Sequence, residues 1–231
     1  MAAHSNRFEF WSGAARTLPL IIAIAPFGIL FGALAVDNGF TVAEAVLMSA
    51  AVYGGASQMV GIELFGQRVA PWLIVLSIFI VNARSILYSA AGGRLIGHWS
   101  AVQKALGFFL MVDPQYAETE RRAERGRSIS FAWYMGLALP IYGCWIAETL
   151  LGALFGRLIG NTHALGLDFL VPIYFLSLVM GFRQRANWLP VVVISAVGSM
   201  LVYQILGSPW HVTVGALVGV LLAAALPVRA A

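Results

Sequence analysis

Charge is scarce in this chain. Of its 231 residues only 10% are Asp, Glu, Lys or Arg, against about 25% in soluble globular domains. Sixty per cent are hydrophobic and the mean hydropathy is +0.85. A chain with so little polar surface cannot cover itself in water, which excludes a soluble fold and points to lipid as the solvent. A single cysteine, Cys144, excludes an internal disulfide and a cysteine-based zinc site. The first apolar run is too long for a signal peptide and lacks a small-residue cleavage site, so none is expected. No nucleotide-binding motif occurs, so ATP hydrolysis by this chain is not expected. The net charge of +4 is read as a marker of cytoplasmic loops, not as a nucleic-acid footprint.

What the chain has is long apolar runs. They span approximately Arg16–Val36, Val42–Phe65, Val69–Ala91, Phe131–Leu154, Leu165–Phe182, Trp188–Leu206 and His211–Val228, each near the ~20 residues that cross hydrocarbon. Val102–Val112 is apolar but short: a half-crossing, an interfacial helix or a short span. The expected fold is all-α, a polytopic transmembrane helical bundle of seven to eight membrane segments, forming one transporter domain over residues 1–231. Trp72, Trp133, Trp188 and Trp210 fall near segment ends as interfacial anchors.

Arg121, Arg122, Arg125 and Arg127 form the densest basic loop, followed by Arg183 and Arg185; both loops are expected to be cytoplasmic. The 37–41 loop carries no base and is expected outside. If Val102–Val112 crosses, both termini lie inside and only Arg94, Lys104 and Arg157 fall outside. If it does not, the N-terminus flips outward. The first arrangement fits the charge rule slightly better.

The chain also resembles itself. At an offset of 146 (172 − 26), Pro26 meets Pro172, Leu30 meets Leu176, Val46 meets Val192, Ser49 meets Ser195, Gln58 meets Gln204 and Gly61 meets Gly207. Coincidence competes with this reading, because apolar chains use a small alphabet. Pro, Gln and Gly are nevertheless not interchangeable filler in a membrane helix. With eight crossings the copies, approximately 16–91 and 165–228, run in opposite directions. Inverted repeats with broken helices are typical of secondary transporters, whose site lies near the midplane between the copies.

Several residues are candidates for chemistry. Tyr53-Gly54-Gly55-Ala56-Ser57-Gln58 sits mid-segment. Paired glycines weaken a helix, and Ser and Gln can re-satisfy freed backbone groups. A break here would offer N–H groups to a carboxylate and carbonyls to an ammonium; close helix packing is the competing reading. Arg84 ends a long apolar run, shares a face with Tyr88, and is either an interior binding or bracing group or a snorkelling one. Glu148 is the deepest carboxylate, a proton-relay candidate or a structural partner for Arg84. Asp113 precedes Pro114 as a coupling candidate or a turn or cap. Pro26-Phe27-Gly28 interrupts the first segment, where a proline frees a carbonyl; Gly28 and Gly32 read mainly as a packing face.

Taken together these residues resemble the AzlC family of branched-chain amino-acid permeases, over roughly Arg16 to Val228. The similarity lies in Pro26-Phe27-Gly28 with Gly32, Tyr53-Gly54-Gly55-Ala56-Ser57-Gln58, Asn82 with Arg84 and Leu87-Tyr88, Asp113, Trp145 with Gly152 and Gly156, and Leu167-Asp168-Phe169 before Pro172. The resemblance implies export of valine, leucine, isoleucine or related amino acids across the bacterial inner membrane, together with a small hydrophobic AzlD-type subunit. The expected substrate site, from the breaks, the repeat and the buried charges, gathers Pro26, Phe27, Gly28, Tyr53, Gly54, Gly55, Ser57, Gln58, Asn82, Arg84, Tyr88 and Gln204, with Glu148 and Asp113 as coupling candidates. One departure stands out: Pro114-Gln115-Tyr116-Ala117 follows Asp113, where many family members carry an acid. No cofactor or metal is implied. A passive channel is the alternative, and a hydrolase using Ser57 with His211 a remoter one.

Overall fold

A computed structural model describes residues 2–82, 84–156, 187–207 and 210–226, with isolated positions between 173 and 184. The expected segment Leu165–Phe182, including Pro172 and Phe175, lies largely outside the described residues. Among the described residues every regular element is a helix: α1 (Ala2–Ala14), α2 (Thr17–Asp37), α3 (Val42–Ala51), α4 (Gly55–Gly66), α5 (Pro71–Asn82), α6 (Arg84–Leu95), α7 (Ala101–Phe109), α8 (Asp113–Glu124), α9 (Phe131–Phe155), α10 (Trp188–Leu206) and α11 (Trp210–Ala225). The chain forms two compact units, Met1–Gln67 with Val81–Gly160, and Arg68–Ile80 with Asn161–Ala231. Among the described residues three helices, α2, α9 and α10, are long and apolar enough to cross a membrane.

The first unit is built on α2 and α9, its most extensively packed helix pair. Contact positions rise together along both helices. Gly28 lies against Glu148, Gly32 against the Thr149 backbone, Ile29 against Gly152 and Ala33 against Gly156. The two helices therefore run parallel. Glycine is required at this seam: a Cβ at Gly28 would sit 2.6 Å from Glu148 Oε2. Pro26 and Pro140 lie inside α2 and α9 without ending either helix. Helix α1 packs on the first turns of α9, with Gly13 against Trp133 and Phe10 against Gly136.

Two helical hairpins enter this unit from opposite ends. Thr41 opens α3 with a capping box to Glu44. The helix stops at Ala51, Val52 to Gly54 are non-helical, and α4 starts at Gly55. By its end α4 has returned to where α3 began: the Phe65 ring lies 4.8 Å from Phe40, and Gly66 lies against Asn38. The tip reaches the middle of α9, where Tyr142 donates to the Ala50 carbonyl at 2.8 Å. The expectation of one span over Val42–Phe65 is thus corrected. Ten and twelve helical residues give arms of only ~15 and ~18 Å, and the chain turns back at the break.

The second hairpin is α7–α8. Ser100 caps α7 with a reciprocal bond to Gln103. Trp99 donates to the Ile129 carbonyl just before α9, and Tyr134 donates to the Gly107 carbonyl. Farther along, the Phe109 ring lies 6.0 Å from Tyr142. After a turn at Leu110–Val112, α8 runs back until Arg122 donates to the Ser128 carbonyl at 2.9 Å. The nine residues of α7 cover ~14 Å, under half of the ~30 Å hydrocarbon core. Val102–Val112 therefore holds a helix too short to cross alone, followed by the turn that leads into α8.

Arg16, at the start of α2, bonds Glu118 of α8 at 3.3 Å, so the N-terminal end of α2 lies on the side of the basic Arg121–Arg127 loop. The expected single segment, Val69–Ala91, is divided between α5 and α6.

In the second unit α10 and α11 pack antiparallel, with Gly215 against Ser199 and Gly219 against Ser195 and Val191. Gly207, with φ 71°, ends α10. Helix α10 runs unbroken through Met200–Gln204, where the repeat pairing places the counterpart of the Tyr53–Gln58 break.

Candidate functional site

The two hairpin tips meet at mid-depth of the first unit. Tyr53 occupies the left-handed region at φ 43°, a conformation costing a non-glycine residue ~1–3 kcal/mol. Its ring stands edge-on to Tyr142 at 4.8 Å, and its hydroxyl accepts a bond from Gln115 Nε2 of α8 at 3.0 Å. That bond joins one hairpin tip to the other.

Gln58, fully buried one turn into α4, repairs the break. Its Oε1 accepts from the Gly54 N–H and from Trp145 Nε1, each at 3.2 Å. Its Nε2 donates to Ser49 Oγ at 3.0 Å. Thr149 gives its proton to the Trp145 carbonyl, so Ser49 donates to Thr149 Oγ1 across 2.7 Å. A chain of oriented hydrogen bonds therefore ties α3, α4 and α9 together around the break. Ser57 donates to the Gly54 carbonyl at 2.8 Å, a backbone-repairing role. Gly54 and Gly55 are tightly enclosed: a Cβ would lie 2.6 Å from Ser57 Oγ at Gly54, displacing that hydroxyl, and 2.9 Å from the Trp145 ring at Gly55.

Beside the tips lies a cavity of about 260 Å³. The first hairpin supplies Val52, Tyr53 and Gly54, and the second supplies Phe108, Phe109, Met111, Val112 and Asp113. Asn82, Ser85 and Tyr88 complete it from the α5–α6 junction. Tyr88 donates to Asp113 Oδ1 at 2.8 Å and stacks on Tyr116 at 4.4 Å.

The other candidates fall around this centre. Glu148 is 7% exposed, packs on Gly28, and its Oε2 has no hydrogen-bond partner among the described residues. Phe27 packs against the aromatic core, and Pro26 is exposed on α2. Arg84 opens α6; its side chain lies outside the described residues. Gln204 is exposed on α10 of the second unit. Thus Tyr53, Gly54, Asn82, Tyr88 and Asp113 line one cavity, Gly55, Ser57 and Gln58 form the repaired break, and Gly28 and Glu148 belong to the α2–α9 seam. The sequence reading missed Ser49, Gln115, Phe108, Phe109, Met111 and Thr149. Only Ser49 and Gln115 left a signal, the first in the repeat pairing and the second as a departure from the family pattern.

At the mouth of the second hairpin a cluster of ions closes the unit. Arg122 bonds Glu9 at 2.7 Å and lies 4.6 Å above the Trp133 ring. Glu118 bonds both Arg16 and Arg121.

A family model described as "AzlC protein" matches residues 19–159, more than half of the chain. Over 219 residues the chain is 28% identical to the "Inner membrane protein YgaZ" of Escherichia coli, covering 93% of this chain and 89% of that one. It is 32% identical over 160 residues to an "Uncharacterized membrane protein" of Archaeoglobus fulgidus, covering 68% and 67%. A Helicobacter pylori protein of the same description is 24% identical over 187 residues, covering 77% and 79%. No solved structure matches the chain.

Proposed function

The chain belongs to the AzlC family, and on that premise we propose that this membrane protein is a secondary transporter. It exports branched-chain or similar small apolar amino acids across the bacterial inner membrane by alternating access. It works with a small hydrophobic AzlD-type subunit.

The observation that carries this reading is the junction of the two hairpin tips. Irregular backbone at membrane depth is tolerated only where protein buries it or where it lines a cavity. Here the Val52–Gly54 break does both, with Gln58 repairing its backbone and the cavity lying beside it. A fold built only for stability has no need of two interrupted hairpins. In transporters such interruptions form the substrate site. Glu148, buried without a partner for Oε2, supports a coupling role, since a carboxyl in such a place is costly and functional by default. The Ser57 hydroxyl donates to the Gly54 carbonyl, a backbone-repairing bond that favours the transport reading over a hydrolase.

The test is amino-acid efflux from cells loaded with leucine-, valine-, isoleucine- and methionine-containing dipeptides. Cells express the chain alone or with the small membrane protein encoded beside it, and Gln58→Ala and Arg84→Ala are run in parallel. Partner-dependent efflux that fails in Gln58→Ala supports the two-subunit exporter. Saturable efflux with counterflow separates a carrier from a passive channel. No efflux from either arrangement, with insertion verified, rejects the substrate class.

A further inference from the structure

The two hairpins meet at their tips: among the described residues no helix of one packs along a helix of the other. Among those residues one hydrogen bond joins them, from Gln115 Nε2 to the Tyr53 hydroxyl at 3.0 Å, beside a ring contact of Tyr53 with Phe109 at 6.4 Å. Both partners are held at a cost. Tyr53 keeps a left-handed backbone at φ 43°, and strain of this kind collects at switch regions. Gln115 is fully buried, and its Oε1 has no hydrogen-bond partner among the described residues, although a buried amide oxygen is costly to leave unpaired. Parting the tips relieves both, because the Tyr53 backbone is free to relax and the Gln115 amide meets water. The base of the α7–α8 hairpin is fastened differently. There Arg122 bonds Glu9 at 2.7 Å and covers Trp133, and Trp99 donates to the Ile129 carbonyl. The buried face of α8 is polar throughout, with Asp113, Gln115, Glu118, Thr119 and Arg122. Water entering along this face from the tip meets an amide and then a hydroxyl, so the gap is cheap to wet.

We propose that the Tyr53–Gln115 contact is a gate. The α7–α8 hairpin stays anchored at its base while its tip leaves the α3–α4 tip. The cavity, which draws its lining from both tips, then opens along α8 past Gln115 towards Thr119. In the closed arrangement the strained tyrosine and the half-satisfied amide hold each other, and in the open one each is released. This deepens the transport reading and rests on it only for what passes the gate.

The test reads the opening directly, in the purified full chain in lipid nanodiscs with Cys144→Ala. The reporter is Thr119→Cys, about one turn beyond Gln115 on α8. That position is 1% exposed, and its native hydroxyl bonds the Gln115 carbonyl. The rate of alkylation by N-ethylmaleimide reports how often water reaches the thiol, because the thiolate is the reacting form. Tyr53→Phe removes the acceptor of the tip-to-tip bond. It is expected to raise the rate about three- to tenfold, the shift in open population that one net hydrogen bond controls. Ile62→Val, a comparable loss of stability at a buried site of α4 about two turns from the tip, is expected to leave the rate unchanged. An unchanged rate in folded Tyr53→Phe, or an equal rise in Ile62→Val, overturns the gate. If Thr119→Cys does not fold, Met111→Cys, buried in the turn of the same tip, is read in the same way and decides. Tip opening in a chain that exports nothing would reject the exporter and keep the gate. Export by a chain whose labelling ignores Tyr53→Phe would do the reverse.

Discussion

Taking away the Gln58 side chain leaves two buried donors, the Gly54 N–H and Trp145 Nε1, without an acceptor. Each unsatisfied buried group costs about 1–3 kcal/mol, so Gln58→Leu, close in volume, is expected to lower stability by about 2–4 kcal/mol. The readout is the midpoint of thermal unfolding in detergent, followed by tryptophan fluorescence; an unchanged midpoint would mean that the hub is not structural. Loss of transport in Gln58→Ala must accordingly be normalised to folded protein. Tyr53→Phe removes the partner of Gln115 Nε2 and is expected to cost about 1–2 kcal/mol in the same measurement. Gly28→Ala pushes a methyl group into Glu148 and is expected to cost about 1–3 kcal/mol. At this scale the sequence was informative about type and less about place. Gly54, Gly55, Ser57 and Gln58 announce a broken helix by chemistry alone. The partners of Gln58 lie 9 and 87 positions away, and nothing local names them.

Elements are held unequally. The mouth of the α7–α8 hairpin is fastened by Arg122, which is 8% exposed, bonds Glu9 and covers Trp133. Arg121, 62% exposed, makes only a surface pair with Glu118. Breaking a buried pair costs several kcal/mol, whereas a surface pair contributes about 0–1 kcal/mol. Arg122→Ala is therefore expected to cost about 2–4 kcal/mol and to raise hydrogen exchange through α8, with Arg121→Ala nearly silent. Equal exchange in the two variants would refute this ranking. Helix α8 was itself legible. Pro114 in its first turn and Arg121 and Arg122 in its last are start and stop signals, hidden by the reading of the segment as a basic loop. Helix α1 was not, since its sequence has almost no apolar periodicity and it is held in place by close packing on α9.

For the whole molecule, the two hairpins make a topological prediction. Single cysteines at Asn38 and Gln67, in a chain with Cys144→Ala, are expected to react with an impermeant maleimide added to intact cells. Cysteines at Gly97 and Arg125 are expected to react only after permeabilisation. Opposite labelling at Asn38 and Gln67 would show that α3–α4 passes through the membrane.

Hydropathy by itself determined that this chain lives in lipid, because its composition leaves too little polar surface for water. The glycines determined that the backbone breaks near Gly54. The course of the chain after each break was decided only in the tertiary structure. A mostly apolar run of 24 residues from Val42 to Phe65 suits one full crossing and two half-crossings equally, since hydropathy counts residues and carries no direction. Direction came from packing: Phe65 returning to Phe40, Trp99 and Arg122 both reaching the start of α9, and Tyr53 meeting Gln115 where the two tips converge.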